Sequence, residues 1–145
     1  MQGTNDDAVR LARISPDPLD LGEHLEAVSG PEFGAVVTFI GQIRDHDPEA
    51  SGQVERLDYE AHPDAGSILT RIATELVRDG IRIAVSHRTG AVEVGEPALV
   101  ACVASAHRAL AYEVSRELIE RIKAEVPIWK RQIVADGSHN WQGLR

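Results

Sequence analysis

The chain has 145 residues and a formal net charge of −8, and its sequence pI is near 5.2. This length suits one domain, which we predict over residues 9–145 after a disordered tail over residues 1–8. The acidic charge excludes a general nucleic-acid binder, because such proteins need a basic surface for phosphate contacts. No apolar run approaches the roughly 20 residues that span a bilayer, and no signal-peptide pattern opens the sequence. We therefore predict a cytoplasmic protein without membrane contact.

The first third of the chain carries alternating strand and helix signals. Residues 9–15 alternate apolar and polar side chains, as in a short strand, and residues 17–30 form a helix that ends at Gly30. Residues 34–44 are β-branched and apolar at successive positions, which predicts a strand that is buried on both faces and ends at Arg44. Residues 45–53 then predict a mobile, exposed loop.

The middle of the chain repeats this order. Residues 54–62 alternate as a strand, residues 63–80 have apolar side chains at helical spacing with Gly80 as the stop, and residues 81–90 return to strand character. Residues 97–106 form a nearly continuous apolar run, which predicts a central strand. Cys102, the single cysteine, lies inside this run and is expected to be a buried, inert thiol.

The last third predicts one long helix and one strand. From Ser105, a candidate N-cap, apolar residues recur every four positions until Pro127. Residues 128–136 resume as a strand, in which Trp129 is expected in the core rather than in the wall of a ligand pocket. Strands that follow strands as well as helices indicate an α+β fold, a sandwich in which helices cover a mixed or mostly antiparallel sheet.

Cofactor and metal motifs are missing from the sequence. Residues 90–97, "GAVEVGEP", lack the glycine spacing of a dinucleotide or Walker loop. The histidines have no paired spacing and no cysteine partners, so no metal site is predicted.

The two lysines form the most unusual pattern in the sequence. Lys123 and Lys130 lie seven residues apart inside "IKAEVPIWKRQ", and the other cationic side chains are all arginines. Arginine stays protonated, whereas a lysine that is desolvated or placed beside other cations can lose its proton and act as a base or nucleophile. The alternative is an exposed lysine that offsets the helix dipole. We predict that the two amines converge where the long helix meets the next strand.

A second group of cationic residues occurs at the start of the same helix. His107 and Arg108, in "SAHR", follow the central strand, and a helix start favours anions such as phosphate. The alternative is an ordinary solvated first turn. Arg44 is either another phosphate clamp or the point where its strand reaches water.

The helix is too long for its two ends to serve one site in one chain. Sixteen residues separate His107 from Lys123, which corresponds to roughly 24 Å along a helix. If both ends serve one site, a two-fold dimer must supply His107 and Arg108 from one subunit and the lysines from the other.

Four segments together resemble a known family: "GAVVTFIGQIRDHD", "LDYEAHP", "SAHR" and "IKAEVPIWKRQ". In this order and spacing, from Ala12 to Trp141, they are similar to the large, catalytic subunit of molybdopterin synthase. The resemblance implies an α/β hammerhead-type fold. It also implies a sulfurtransferase that converts cyclic pyranopterin monophosphate (precursor Z) into the molybdopterin dithiolene. The sulfur donor is a small ubiquitin-like subunit with a C-terminal Gly-Gly thiocarboxylate, and a homodimer core with two such partners makes a heterotetramer. Neither a cofactor nor a metal is implied.

The resemblance also assigns the site. It implies catalytic roles for Lys123 and Lys130, and substrate binding by Gln42, Ile43, Arg44, His107, Arg108, Lys123, Lys130, Arg131 and Gln132. Two positions depart from the family pattern: many members have lysine in place of Gln42 and an acid in place of Gln132. A glutamine can hydrogen-bond a ligand but cannot act as a base.

Two other function classes compete with this prediction. The first is a non-catalytic module that binds a phosphopterin or a ubiquitin-like tail, for which loss of one or both lysines would be the signature. The second is an acetyl or phosphoryl transferase that uses the "SAHR" anion site. It would call for a glycine-rich cofactor loop, which the sequence lacks.

Overall fold

The computed structural model describes residues 7–46, 53–134 and 139–143. The α+β class is confirmed. These residues contain three helices and eight strands. The strands form two four-stranded sheets rather than the single sheet expected. Residues 1–6 of the predicted tail, which was expected over residues 1–8, and residues 47–52 of the predicted mobile loop lie outside the described residues. Ala8 is buried, and its carbonyl accepts a hydrogen bond from the amide of Ile83.

The elements follow the chain in this order: β1 (Val9–Ser15), α1 (Leu21–Val28), β2 (Ala35–Gln42), β3 (Val54–Ala61), α2 (Ala65–Glu75), β4 (Arg82–Arg88), β5 (Gly90–Glu93), β6 (Pro97–Ser105), α3 (Arg108–Glu125), β7 (Ile128–Val134) and β8 (His139–Gly143). No helix in the described part of the chain is both long and apolar enough to cross a membrane.

The first sheet, called sheet A, has the strand order β1-β4-β6-β2. β1 and β4 are parallel, whereas β6 is antiparallel to both β4 and β2. The apolar strand β6 lies inside the sheet, between β4 and β2, as predicted. It is buried because helices cover both of its faces. Helix α1 packs on one face, and α3 packs on the other, with α2 beside it over β1. The buried ring of His24 joins α1 to this sheet through hydrogen bonds of 2.7 Å to both the Asp20 carbonyl and Ser86 Oγ.

The second sheet, called sheet B, has the order β5-β3-β7-β8 and is antiparallel throughout. The chain passes from β4 in sheet A to β5 in sheet B through Thr89 alone. Gly90 has φ +84°, a conformation that favours glycine, and so permits this abrupt change of direction. Strands β5 and β8 were not predicted, since both are short and flanked by turn-forming residues.

Strand β2 differs from its prediction. Its burial alternates along the strand instead of being complete on both faces. The reason is its place at the edge of sheet A, where α1 covers β4 and β6 and leaves Val36 and Ile40 of β2 exposed by 43% and 37%. An edge strand with apolar side chains on one exposed face has the character of an interface.

Candidate active site

A cavity of about 130 Å³ lies where the two sheets meet beneath the end of α3. Five strands and one helix contribute to its walls. The lining residues are Gly41, Gln42, Ile43, Arg44, His46, Val54, Leu57, Tyr59, His87, Ala98, Leu99, Ile122, Lys123, Lys130 and Gln132. Six of the nine predicted site residues are therefore brought together in one chain: Gln42, Ile43, Arg44, Lys123, Lys130 and Gln132.

The cavity has a buried floor and an exposed rim. Tyr59, His87 and Gln132 are all at most 9% exposed and form polar parts of the floor. Arg44 and Lys123 are exposed and lie at the rim. A ligand that enters from solvent therefore meets cationic groups first and neutral polar groups deeper inside.

The local structure explains why the two lysines converge. Lys123 lies in the last turn of α3, where the final hydrogen bond is donated by the amide N–H of Val126 to the carbonyl of Ile122. Pro127 cannot continue the helix, so the chain turns directly into β7. Alternation along β7 then directs Lys130 and Gln132 to the cavity side.

The charge of the cavity is opposite to the charge of the chain. Arg44, Lys123 and Lys130 line it, and no aspartate or glutamate occurs among the lining residues that the structure describes. The whole sequence nevertheless carries a net charge of −8. A concave site lined by one sign of charge concentrates ligands of the opposite sign, so this cavity suits an anion.

Sequence reasoning missed two ionisable residues of the floor, His87 and Tyr59. Their rings pack edge to face, with centroids 5.1 Å apart and planes at 78°. Burial raises the pKa of Tyr59 to about 12, so its phenol remains protonated at neutral pH. A signal was available for His87, because period-two alternation places it on the same buried face of β4 as Ile83 and Val85.

Arg131 lies away from the cavity. It is a neighbour of Lys130 along β7 and therefore projects to the opposite face of sheet B. There its guanidinium donates to Asp58 Oδ2 at 3.0 Å and stacks 5.0 Å from the ring centre of Trp141. The expectation that Trp129 is a core residue is wrong, because Trp129 shares this outer face and is 44% exposed.

The contacts of Asp58 make the stability of the fold depend on pH. Its partial burial raises the pKa, but hydrogen bonds from Arg56 and Arg131 outweigh burial and hold the pKa of Asp58 below its ordinary value. A lowered folded-state pKa means that the ionised carboxylate stabilises the fold at pH values above its unfolded pKa, near 4. This stabilisation is lost as pH falls through the folded-state pKa.

We expect Asp58→Asn to lower the free energy of unfolding by about 1 kcal/mol at pH 7, because two arginines lose a charged acceptor. The difference from the original protein should narrow as pH falls below about 4. Urea unfolding of both proteins from pH 7 to pH 2.5 measures this difference. An equal difference at all pH values would contradict a role for the ionised carboxylate.

His107 and Arg108 lie at the other end of α3 and are exposed. Neither lines the cavity. The predicted N-cap, Ser105, is wrong by two residues: His107 occupies the N-cap, and the Ser105 hydroxyl donates to the His107 carbonyl instead. Helix α3 is unbroken over 18 residues, or roughly 27 Å, so the distance between its ends is as large as expected.

Comparison with known proteins gives a consistent result. The model of the MoaE protein family matches residues 14–125. Molybdopterin synthase catalytic subunit 1 of Mycobacterium tuberculosis is 41% identical over 143 residues, which cover 95% of this chain and 94% of that protein.

Solved structures agree with these sequence matches. Molybdopterin synthase from Staphylococcus aureus superimposes with a TM-score of 0.82 at 34% identity, over 90% of this chain and 95% of that one. A complex of subunits 1 and 2 of molybdopterin-converting factor from Helicobacter pylori contains a chain with a TM-score of 0.71. The match covers 92% of this chain and 89% of the H. pylori chain. At 20% identity it shows the fold alone. The resemblance seen in the sequence is thus confirmed, and this chain belongs to the MoaE protein family of molybdopterin synthase catalytic subunits.

Proposed function

We propose that this chain is the catalytic subunit of a molybdopterin synthase. It transfers sulfur from the C-terminal thiocarboxylate of a small ubiquitin-like subunit to cyclic pyranopterin monophosphate, which becomes the molybdopterin dithiolene. One observation carries the proposal: the only two lysines of the sequence converge with Arg44 on one cavity that has no carboxylate among its described lining residues. Membership of the MoaE family supplies the reaction class.

The charge of the cavity suits both reactants. A thiocarboxylate and a cyclic phosphate diester are both anions, and each needs cationic or N–H donors when it leaves water. Arg44 at the rim provides a planar, permanently charged donor for phosphate. Lys123 at the rim and the half-buried Lys130 serve the sulfur-bearing end of the partner's tail.

The two amines supply the proton chemistry. Each sulfur transfer forms a C–S bond by attack of the thiocarboxylate sulfur on a side-chain carbon of the pterin, and water then hydrolyses the acyl–sulfur bond, so that the partner's tail leaves as an ordinary carboxylate. In the attack a C–O bond of the pterin side chain breaks, and negative charge develops on the oxygen that is displaced. An ammonium group can stabilise this oxygen and donate a proton to it, and the resulting amine can take up a proton in a later step. Arginine cannot perform this exchange, because its guanidinium stays protonated in proteins. The assignment therefore accounts for the choice of lysine at positions 123 and 130.

The proposed active unit is a two-fold dimer in which His107 and Arg108 of one copy complete the cavity of the other. Strand β2 supports this arrangement. Its first residue pairs with Ser105, beside the "SAHR" segment, and its last residues line the cavity. Two β2 edges that meet antiparallel about a two-fold axis bring the "SAHR" end of one copy to the cavity end of the other.

The exposed side chains of β2 support the same dimer. Val36 and Ile40 present apolar surface along this edge and would be covered by the second copy. One small sulfur-carrier subunit then docks at each outer end of the dimer and extends its C-terminal tail into a cavity, giving a heterotetramer. The H. pylori structure, a complex of subunits 1 and 2, provides an example of two such subunits in contact.

The decisive experiment incubates the purified protein with thiocarboxylated small subunit and cyclic pyranopterin monophosphate. We expect the dithiolene product, detected after oxidation to a fluorescent pterin derivative, and loss of the thiocarboxylate measured by mass spectrometry. The matched control uses small subunit with an ordinary C-terminal carboxylate, which cannot supply sulfur. Binding of both reactants without product would contradict the proposal and favour the alternative, a non-catalytic module for phosphopterins or ubiquitin-like tails.

A further inference from the structure

His87 is a buried ionisable residue of the cavity to which the sequence assigned no role. It is the penultimate residue of β4, shortly before the chain crosses into sheet B, and is 3% exposed. The T-shaped contact with Tyr59 restricts the tilt of its ring. Because the ring is both enclosed and part of the cavity wall, its nitrogen atoms have defined positions relative to a bound ligand.

The hydrogen bonding of His87 determines its tautomer. Its Nδ1 lies 2.7 Å from the backbone carbonyl oxygen of Arg88, and a carbonyl can only accept a hydrogen bond. Nδ1 therefore carries the proton. In a neutral ring the lone pair is then on Nε2, on the side of the imidazole that is turned away from the backbone.

The surroundings keep this ring neutral. Burial is the main cause that lowers the pKa of His87, to about 4, and the nearby charge of Lys123 lowers it further. The hydrogen bond to the Arg88 carbonyl acts in the opposite direction but is outweighed. The other ionisable side chains that line the same cavity are Arg44, His46, Tyr59 and Lys130. At neutral pH, His87 thus adds no charge to the cavity.

A neutral Nε2 gives the cavity a property that its cations lack. Arg44 and protonated lysines can only donate hydrogen bonds, so they recognise the anionic parts of a ligand. An unprotonated imidazole nitrogen accepts a hydrogen bond. It can therefore recognise an N–H or O–H group, of which a reduced pterin ring carries several.

We propose that His87 is a substrate-binding residue whose Nε2 accepts a hydrogen bond from an N–H or O–H group of the pterin. The inference rests on the proposed function and deepens it. The cations hold the phosphate and the thiocarboxylate, while His87 sets the orientation of the ring system between them. A purely structural histidine would fill the floor equally well but would make no contact with substrate.

Two variants separate these roles. His87→Phe keeps an aromatic ring beside Tyr59 but removes the acceptor, and we expect KM for the pterin substrate to rise roughly tenfold. His87→Gln can place an amide oxygen near the position of Nε2 and should recover most of this loss. His62→Phe is the matched control, because His62 is exposed and lies outside the cavity. It should leave KM unchanged.

A spectroscopic measurement on the original protein keeps the test independent of how the variants fold. With ¹⁵N-labelled histidine, we expect NMR to show His87 as the Nδ1–H tautomer, and its Nε2 resonance to shift when cyclic pyranopterin monophosphate is added. An unchanged Nε2 resonance with saturating substrate, or an unaltered KM in a folded His87→Phe variant, would overturn the proposal. In both cases the original protein would still form the dithiolene. Failure of the original protein to bind or convert the pterin would instead overturn the proposed function.

Discussion

Lys123→Ala should abolish dithiolene formation, with a loss of roughly 100-fold or more in turnover, while leaving the fold and the dimer intact. The expected size follows from the removal of a group that transfers protons and stabilises developing charge. The fold should survive because Lys123 is an exposed residue in the last turn of α3. Product formation measures the first effect, and thermal unfolding with light scattering measures the second.

Lys123→Arg tests why this residue is lysine. The variant keeps the positive charge but removes an amine that can exchange its proton, so we expect turnover to remain poor. Arg116→Ala is the control, since Arg116 is an exposed cation on the same helix and does not line the cavity. It should behave like the original protein. Near-normal turnover by Lys123→Arg would rule out the role of a titratable amine and leave only a role for charge.

A dimer that pairs a Lys123→Ala subunit with an Arg108→Ala subunit should recover about half of the original activity, although each variant alone is inactive. If each site takes Arg108 from one subunit and Lys123 from the other, both changes fall in one of the two sites. The second site is then intact. Subunits that carry different affinity tags allow the mixed dimer to be purified before the assay.

The matched control is a mixed dimer of Lys123→Ala and Lys130→Ala subunits. These two lysines line the same cavity of one chain, so every site in this dimer carries one change. It should stay inactive. An inactive Lys123→Ala with Arg108→Ala dimer, whose composition is verified by mass spectrometry, would show that the site is not shared between subunits.

The convergence of the two lysines could be predicted from local sequence alone. The helical spacing of the apolar residues, the break at Pro127 and the alternation in β7 are all short-range properties. They place Lys123 at a helix end and Lys130 on the inner face of the following strand. The same alternation should have excluded Arg131 from the cavity, because consecutive residues of a strand face opposite sides. Assignment by resemblance included Lys130, Arg131 and Gln132 alike, without this distinction.

The burial of β2 could not be predicted in the same way. An apolar, β-branched segment is compatible with a central strand and with an edge strand that has an exposed interface. The difference depends on which strands lie beside it and on how far α1 extends over sheet A. These are contacts between residues far apart in sequence, such as Thr38 with Cys102. For the same reason, the division into two sheets was not predicted.

By itself, the sequence determined the α+β class, most element positions, the family and the paired lysines. These depend on side-chain periodicity, on proline and glycine, and on short motifs, all of which act over a few residues. Only the tertiary structure decided that the cavity lacks lining carboxylates among the described residues and that His87 forms its floor as a neutral ring. Protonation and burial depend on neighbours that the fold brings together from different strands, and no local pattern specifies those neighbours.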